Sequence, residues 1–165
     1  MTRIVLGIEY DGSGFFGWQW QPNRPSVQGE LENALSKVAN HPVSVICAGR
    51  TDTGVHALEQ VVHFDANVER DLHAWLLGGN SYLPDGIRII WVKQAVRDFH
   101  ARYSAIARLY RYVILNRPVK SALLGKQTTW CYHPLSVGPM HRAAQDLVGN
   151  HDFSSFRAQG CQSKS

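Results

Sequence analysis

Hydrophobic positions along the first hundred residues fall into two spacings, and the order in which these alternate predicts the fold. Residues Arg3 to Tyr10 alternate, with Ile4, Leu6, Ile8 and Tyr10 on one side, as a half-buried strand does. After a loop rich in glycine and tryptophan, Ser26 is placed to cap a helix whose Val27, Leu31, Leu35 and Val38 share one face, and Pro42 lies just past its end. Val43 to Ala48 and Leu58 to Ala66 read as two strands joined by the segment Gly49 to Ala57. Leu72, Trp75 and Leu76 predict a second helix, and Ile87 to Val96 a fourth strand. The resulting order, β-α-β-β-α-β, is α+β and ferredoxin-like: helices cover one face of an antiparallel sheet and leave the other free to receive a ligand.

Past residue 100 the pattern starts again. Arg108 to Leu115 alternates as a strand, Thr128 to His133 is a candidate partner for it, and Met140 to Val148 reads as a helix ended by Gly149. One strand pair and one helix do not close a sheet. The expected organisation is therefore a ferredoxin-like N-terminal domain over 1–100 and the incomplete beginning of a second α+β domain over 101–165, divided near the polar stretch Arg97 to His100. The chain reads as a fragment of a longer protein, or as one whose other half comes from elsewhere.

Composition narrows the classes. With 165 residues, 44% hydrophobic and 18% charged, the chain can bury a core and is expected to be globular. Seventeen Lys and Arg against thirteen Asp and Glu give a net charge of +4, which suits a polyanionic partner without specifying one. Cys47, Cys131 and Cys161 are odd in number and lack C-x-x-C spacing, so neither a disulfide framework nor a zinc site is expected, and a reducing cytoplasm is. The eight histidines never fall at i,i+4 on one helix beside a third ligand, and no metal is expected. No apolar run is long enough for a signal peptide or a membrane span.

Two motifs carry possible chemistry. Gly12, Gly14 and Gly17 spell G-x-G-x-x-G behind the first strand, but no helix follows at once to offer free N–H groups to a pyrophosphate, so a flexible turn is the better reading. The second motif is Ala48-Gly49-Arg50-Thr51-Asp52-Thr53-Gly54-Val55-His56, a tight polar connection between two apolar strands. Rigid flanks of this kind display side chains for catalysis or binding. The same residues also fit a plain turn over Thr51 to Gly54 with a surface ion pair between Arg50 and Asp52.

The string AGRTDTGVHA resembles the active-site motif of the TruA family of tRNA pseudouridine synthases, and IEYDGSGFFGWQ, SVQGELENAL, DFHARYSA, RLYRYVILN and DFSSFRA resemble further family segments in family order. The resemblance runs over essentially the whole chain, and family members continue past Ser165. It implies the pseudouridine synthase fold, with two ferredoxin-like halves about a basic cleft, and isomerisation of uridine to pseudouridine at positions 38 to 40 of the tRNA anticodon stem and loop. It further implies a homodimer, no cofactor, Asp52 as nucleophile, Tyr110 packed against the uracil, and Arg50 beside the nucleophile helping to displace or replace the flipped base. Lys93, Arg102, Arg108 and Arg111 are candidate phosphate contacts, each equally a solvated surface charge. The run Phe15, Phe16, Trp18 and Trp20 is open between base stacking and packing. Two rivals stand beside the enzyme: a non-catalytic RNA-binding module of the same fold, and a structural dimerisation domain.

Overall fold

The computed structural model describes residues 1–156. Cys161 and the end of the DFSSFRA segment lie outside the described residues. Two compact units emerge, Met1–Arg111 and Tyr112–Ser165; the sequence pattern places its division earlier, at residue 100.

The first unit is mixed α+β, built on a four-stranded antiparallel sheet. Strand β1 (Thr2–Tyr10) leads through a 3-10 turn (Gly12–Gly14) to helix α1 (Val27–Ala39). Strands β2 (Ile46–Cys47) and β3 (Ala57–Ala66) follow, then a helical stretch over 72–82 and strand β4 (Ile87–Ala95). The strands lie in the order β2-β3-β1-β4. Ser26 caps α1 by accepting the Gly29 N–H, and Asn40 ends the helix in the left-handed conformation at φ 58°. The face of α1 that carries Val27, Leu31 and Leu35 packs on Ile4, Leu6, Ile8 and Tyr10 of β1 and on Val62 and Phe64 of β3. Both periods read from the sequence thus point into one core.

Three elements differ from the sequence expectation. Val43 and Val45 are buried, but their N–H groups donate to Ser36 Oγ (2.8 Å) and Glu32 Oε1 (2.9 Å) of α1. The helix takes the donors a ladder would have used, and only Ile46 and Cys47 pair with β3. The second helix is also not regular: a π turn (Ala74–Gly78) precedes the short α2 (Gly79–Tyr82). The wide turn seats Trp75, fully buried, edge-on to Phe64 at 5.0 Å between ring centres. Finally, β4 carries one extra residue, Ile90, opposite the Gly7/Ile8 step of β1. Next to that bulge the Asn80 side chain binds both backbone groups of Ile89, donating to its carbonyl and accepting its N–H, each at 2.9 Å.

Part of the sheet face away from the helices is covered, at the end where β1 begins. Arg3 forms a two-point contact with Asp65 (2.8 and 2.7 Å) and donates to the carbonyls of Arg97 and Phe99, drawing the segment 97–104 across β1 and β3. His63, buried beneath that segment, accepts the Ala101 N–H at Nδ1 (3.1 Å) and touches the rings of Phe99 and His100. Burial first, then the positive charge of Arg3 and the neighbouring His100, hold the His63 imidazole below its usual range, with Asp65 opposing. The folded state therefore favours the neutral ring. The stability this provides is present above the ordinary imidazole value of about 6.5 and is lost as pH falls beneath it. Urea midpoints should accordingly decline between about pH 7 and pH 5, and His63→Gln should flatten that slope; an unchanged slope in the variant would place the titration elsewhere.

The expected long strand over Arg108 to Leu115 is reduced to β5 (Ile114–Asn116) of the second unit, which pairs in parallel with β6 (Thr129–Cys131). Residues 105–113 have no ladder partner among the described residues. The twelve residues 117–128 supply the crossover that parallel pairing demands. Helix α3 (Val137–Gln145) begins three residues earlier than its apolar pattern suggests, because Pro139 falls in the first turn, where no N–H is required. Gly149 follows with φ +114°.

Candidate active site

The segment 48–56 joins β2 to β3 at the end of the sheet where β1 finishes. Within it the Val55 N–H donates to the Asp52 carbonyl (3.2 Å), and Gly54 has φ +81°. The turn therefore runs from Asp52 to Val55 with glycine third, one residue later than the spacing suggests, and the left-handed φ explains the glycine.

Side chains distant in sequence hold this loop. Tyr10, the last residue of β1, shares a 2.8 Å hydrogen bond with Thr51 Oγ1. Burial raises the Tyr10 phenol above its ordinary range, with the Thr51 contact opposing, so the group stays a neutral hydrogen-bonding anchor. Gln60 of β3 donates to the Gly49 carbonyl and accepts the Gly49 N–H (3.3 Å). Arg108 reaches the Ala48 carbonyl with Nε (3.0 Å) and Nη2 (2.6 Å). At the far end His56 Nδ1 lies 3.2 Å from Asp11 Oδ1.

The glycines of the first motif complete the support. The Trp18 N–H donates to the Thr51 carbonyl (2.9 Å), and Gly17 turns beneath it with φ +84°. A Cβ on Gly12 would lie 2.0 Å from the Val55 carbonyl oxygen. The G-x-G-x-x-G pattern is thus the seat of the 51–55 loop; the flexible-turn reading missed that packing role.

Asp52 and Arg50 are both exposed. The surface ion pair between them does not form: among the described residues neither side chain has a hydrogen bond or an ionic partner. Tyr110 is exposed, and its hydroxyl lies 3.6 Å from where a Cβ of Gly49 would stand, which sets the tyrosine against the start of the loop. Arg108 is engaged with backbone carbonyls, and is not a free phosphate contact. Of the aromatic run, Trp18 is buried against Tyr10, and Phe15 packs on the core; Phe16 and Trp20 stay exposed, Arg24 lying over the Phe16 ring. Among the described residues no group of three or more His, Cys, Asp or Glu side chains could hold a metal ion. None of the described helices is long and apolar enough to cross a membrane.

Sequence reasoning located the loop but missed Tyr10, Gln60 and the anchoring use of Arg108. A tyrosine closing an otherwise aliphatic strand face, and a glutamine at an inward position of β3, are the signals that could have found the first two.

Residues 7–104, which include Arg50 and Asp52 but not Tyr110, match the tRNA pseudouridine synthase family. Over nearly its whole length the chain is similar to the tRNA pseudouridine synthase A of Methylococcus capsulatus, at 62% identity over 163 residues covering 99% of this chain and 60% of that protein. It is 57% identical to those of Hydrogenovibrio crunogenus, covering 98% of the chain and 62% of the relative, and of Pseudomonas aeruginosa, covering 100% and 58%. The chain spans about 60% of the length of these curated relatives. A match covering more than half of the chain, joined to these identities, places the chain in the tRNA pseudouridine synthase family.

Proposed function

We propose that the protein isomerises uridine to pseudouridine in tRNA, with Asp52 as the nucleophile. The observation that carries this reading is the Asp52 carboxylate itself, exposed and unpartnered among the described residues, on a loop whose backbone is anchored from four directions. A carboxylate held in this way is fixed in place yet free to form a bond to carbon. In the reaction the N1–C1′ bond breaks, the uracil turns over, C5 bonds to C1′, and the C5 proton leaves to solvent as N1 gains one. Asp52 adds to C1′ or to C6 and departs again, and the balance needs no redox cofactor.

Arg50, exposed two residues before Asp52, takes the place of the flipped base, and Tyr110 packs on the uracil. The β-α-β-β-α-β order with strand order β2-β3-β1-β4 supports a ferredoxin-like first half. In this reading residues 101–165 begin the second half and the whole protein is a cytoplasmic homodimer that acts on uridines at positions 38 to 40 of the anticodon stem and loop. A binding-only module would not need an unpartnered carboxylate at the centre of its most heavily anchored loop.

The test is tritium release from tRNA labelled at C5 of uridine by the full-length protein, since only the isomerase must exchange that hydrogen. Binding should also weaken by about 100-fold between roughly 50 and 200 mM salt, as expected if about four phosphates are neutralised. Arg50→Ala should lower turnover more than affinity. A flat salt dependence in filter binding would contradict a basic tRNA cleft.

A further inference from the structure

We infer that Arg108 is a positioning residue for the isomerisation: its guanidinium ties the start of the nucleophile loop to the backbone approach of Tyr110. The inference rests on the function proposed above and adds a role for a residue beyond the 7–104 family match.

Nε and Nη2 of Arg108 converge on one acceptor, the Ala48 carbonyl, at 3.0 and 2.6 Å, and Nη2 also donates to the Arg102 carbonyl at 3.1 Å. Ala48 is the last residue of the β2 edge to keep a backbone–backbone bond to β3, through its N–H to the Val61 carbonyl (2.8 Å); the polar loop begins at the next residue. Arg102 belongs to the segment that Arg3 and His63 fasten across the sheet. One side chain therefore joins a fastened segment to the root of the loop that carries Arg50 and Asp52. It also lies two residues before Tyr110, so the same bonds fix where that ring begins.

A separate observation points to the same junction. A Cβ on Gly49 would meet Arg108 Nε at 3.2 Å, Arg108 Cδ at 3.3 Å and the Tyr110 hydroxyl at 3.6 Å. Gly49 has no unusual φ, so its glycine is explained by the two side chains lying over it. Planar geometry suits Arg for the task, because a guanidinium can direct two N–H groups at one carbonyl and a further bond at a second, which an ammonium on a flexible stem does less well.

The experiment compares Arg108→Ala, Arg108→Lys and Gly49→Ala with wild type in the full-length protein, using single-turnover tritium release from C5-labelled tRNA beside filter binding. Arg108→Ala should slow the chemical step by about 100-fold, the scale of a 1 Å misplacement of reacting groups, while tRNA affinity stays within about twofold. Arg108→Lys should recover part of the rate, and millimolar methylguanidinium should restore part of the activity of Arg108→Ala while leaving wild type unchanged. Gly49→Ala should slow the same step, since its methyl displaces the guanidinium rather than the backbone. If Arg108→Ala does not fold, Arg108→Lys and Gly49→Ala carry the test. Affinity falling in step with rate would make Arg108 a phosphate contact and overturn the inference, as would an unaltered rate. Asp52→Asn run in parallel separates the two levels. Tritium release surviving in Asp52→Asn sinks the functional reading, whereas an inactive Asp52→Asn beside a normal Arg108→Ala sinks only this one.

Discussion

Asp52→Asn in the full-length protein should lose at least about 10³-fold in tritium release while binding tRNA as wild type does. The amide keeps the size and shape of the side chain but has no anionic oxygen to bond to carbon. Nothing else in the loop depends on that oxygen: the turn uses the Asp52 carbonyl, and the anchors reach Ala48, Gly49, Thr51 and His56. Thermal unfolding of the variant should therefore match wild type. Near-normal tritium release would remove Asp52 from the chemistry. Loss of binding and of activity together would instead make the carboxylate a support for the loop.

Gly12→Ala should also lower turnover, by a different route. The new methyl would stand 2.0 Å from the Val55 carbonyl oxygen and 2.6 Å from its carbon, so backbone must move, and the backbone in question is the turn that carries Asp52. Overpacking of this kind costs about 1–3 kcal/mol in stability. A displacement of the turn by an ångström would cost about 100-fold in turnover. Gly14→Ala, in the same short turn, is the internal control, since its Cβ meets nothing within 4 Å. Equal urea midpoints and equal rates for the two variants would show that the 51–55 loop does not depend on its seat.

What the sequence made legible, and what it hid, divides by range. Helix α1 could be read because its determinants are local: a serine cap, an apolar face and a helix end before Pro42. The extent of β2 could not, because Ser36 and Glu32 are apolar-face neighbours in sequence pattern yet spend their acceptors on the N–H groups of Val43 and Val45. Alternation over Arg108 to Leu115 looked like a strand, but alternation has no knowledge of whether a ladder partner exists, and Arg108 turns back to a carbonyl sixty positions earlier. The same applies at the candidate site. Asp52 and its glycines stand together in one short string, whereas Tyr10 lies 41 positions from the threonine it holds and Gln60 lies 11 from Gly49. Among Phe15, Phe16, Trp18 and Trp20, residue type alone gives no means of telling the buried ring from the exposed ones; the docking of the Trp18 N–H on Thr51 decides it.

The grip of Asn80 on Ile89 also bears on how the chain avoids its own copies. Strand β4 has no neighbour on its outer side among the described residues, and nine residues of open backbone are a template for a foreign strand. Asn80 occupies both groups of Ile89, and the extra residue at Ile90 throws the spacing out of step beside it. An incoming strand would find uninterrupted backbone only over 91–95, where it would also meet Lys93. Replacing Asn80 by leucine would remove that stopper, and the first consequence to look for is growth of aggregates on mild heating rather than a change in catalysis.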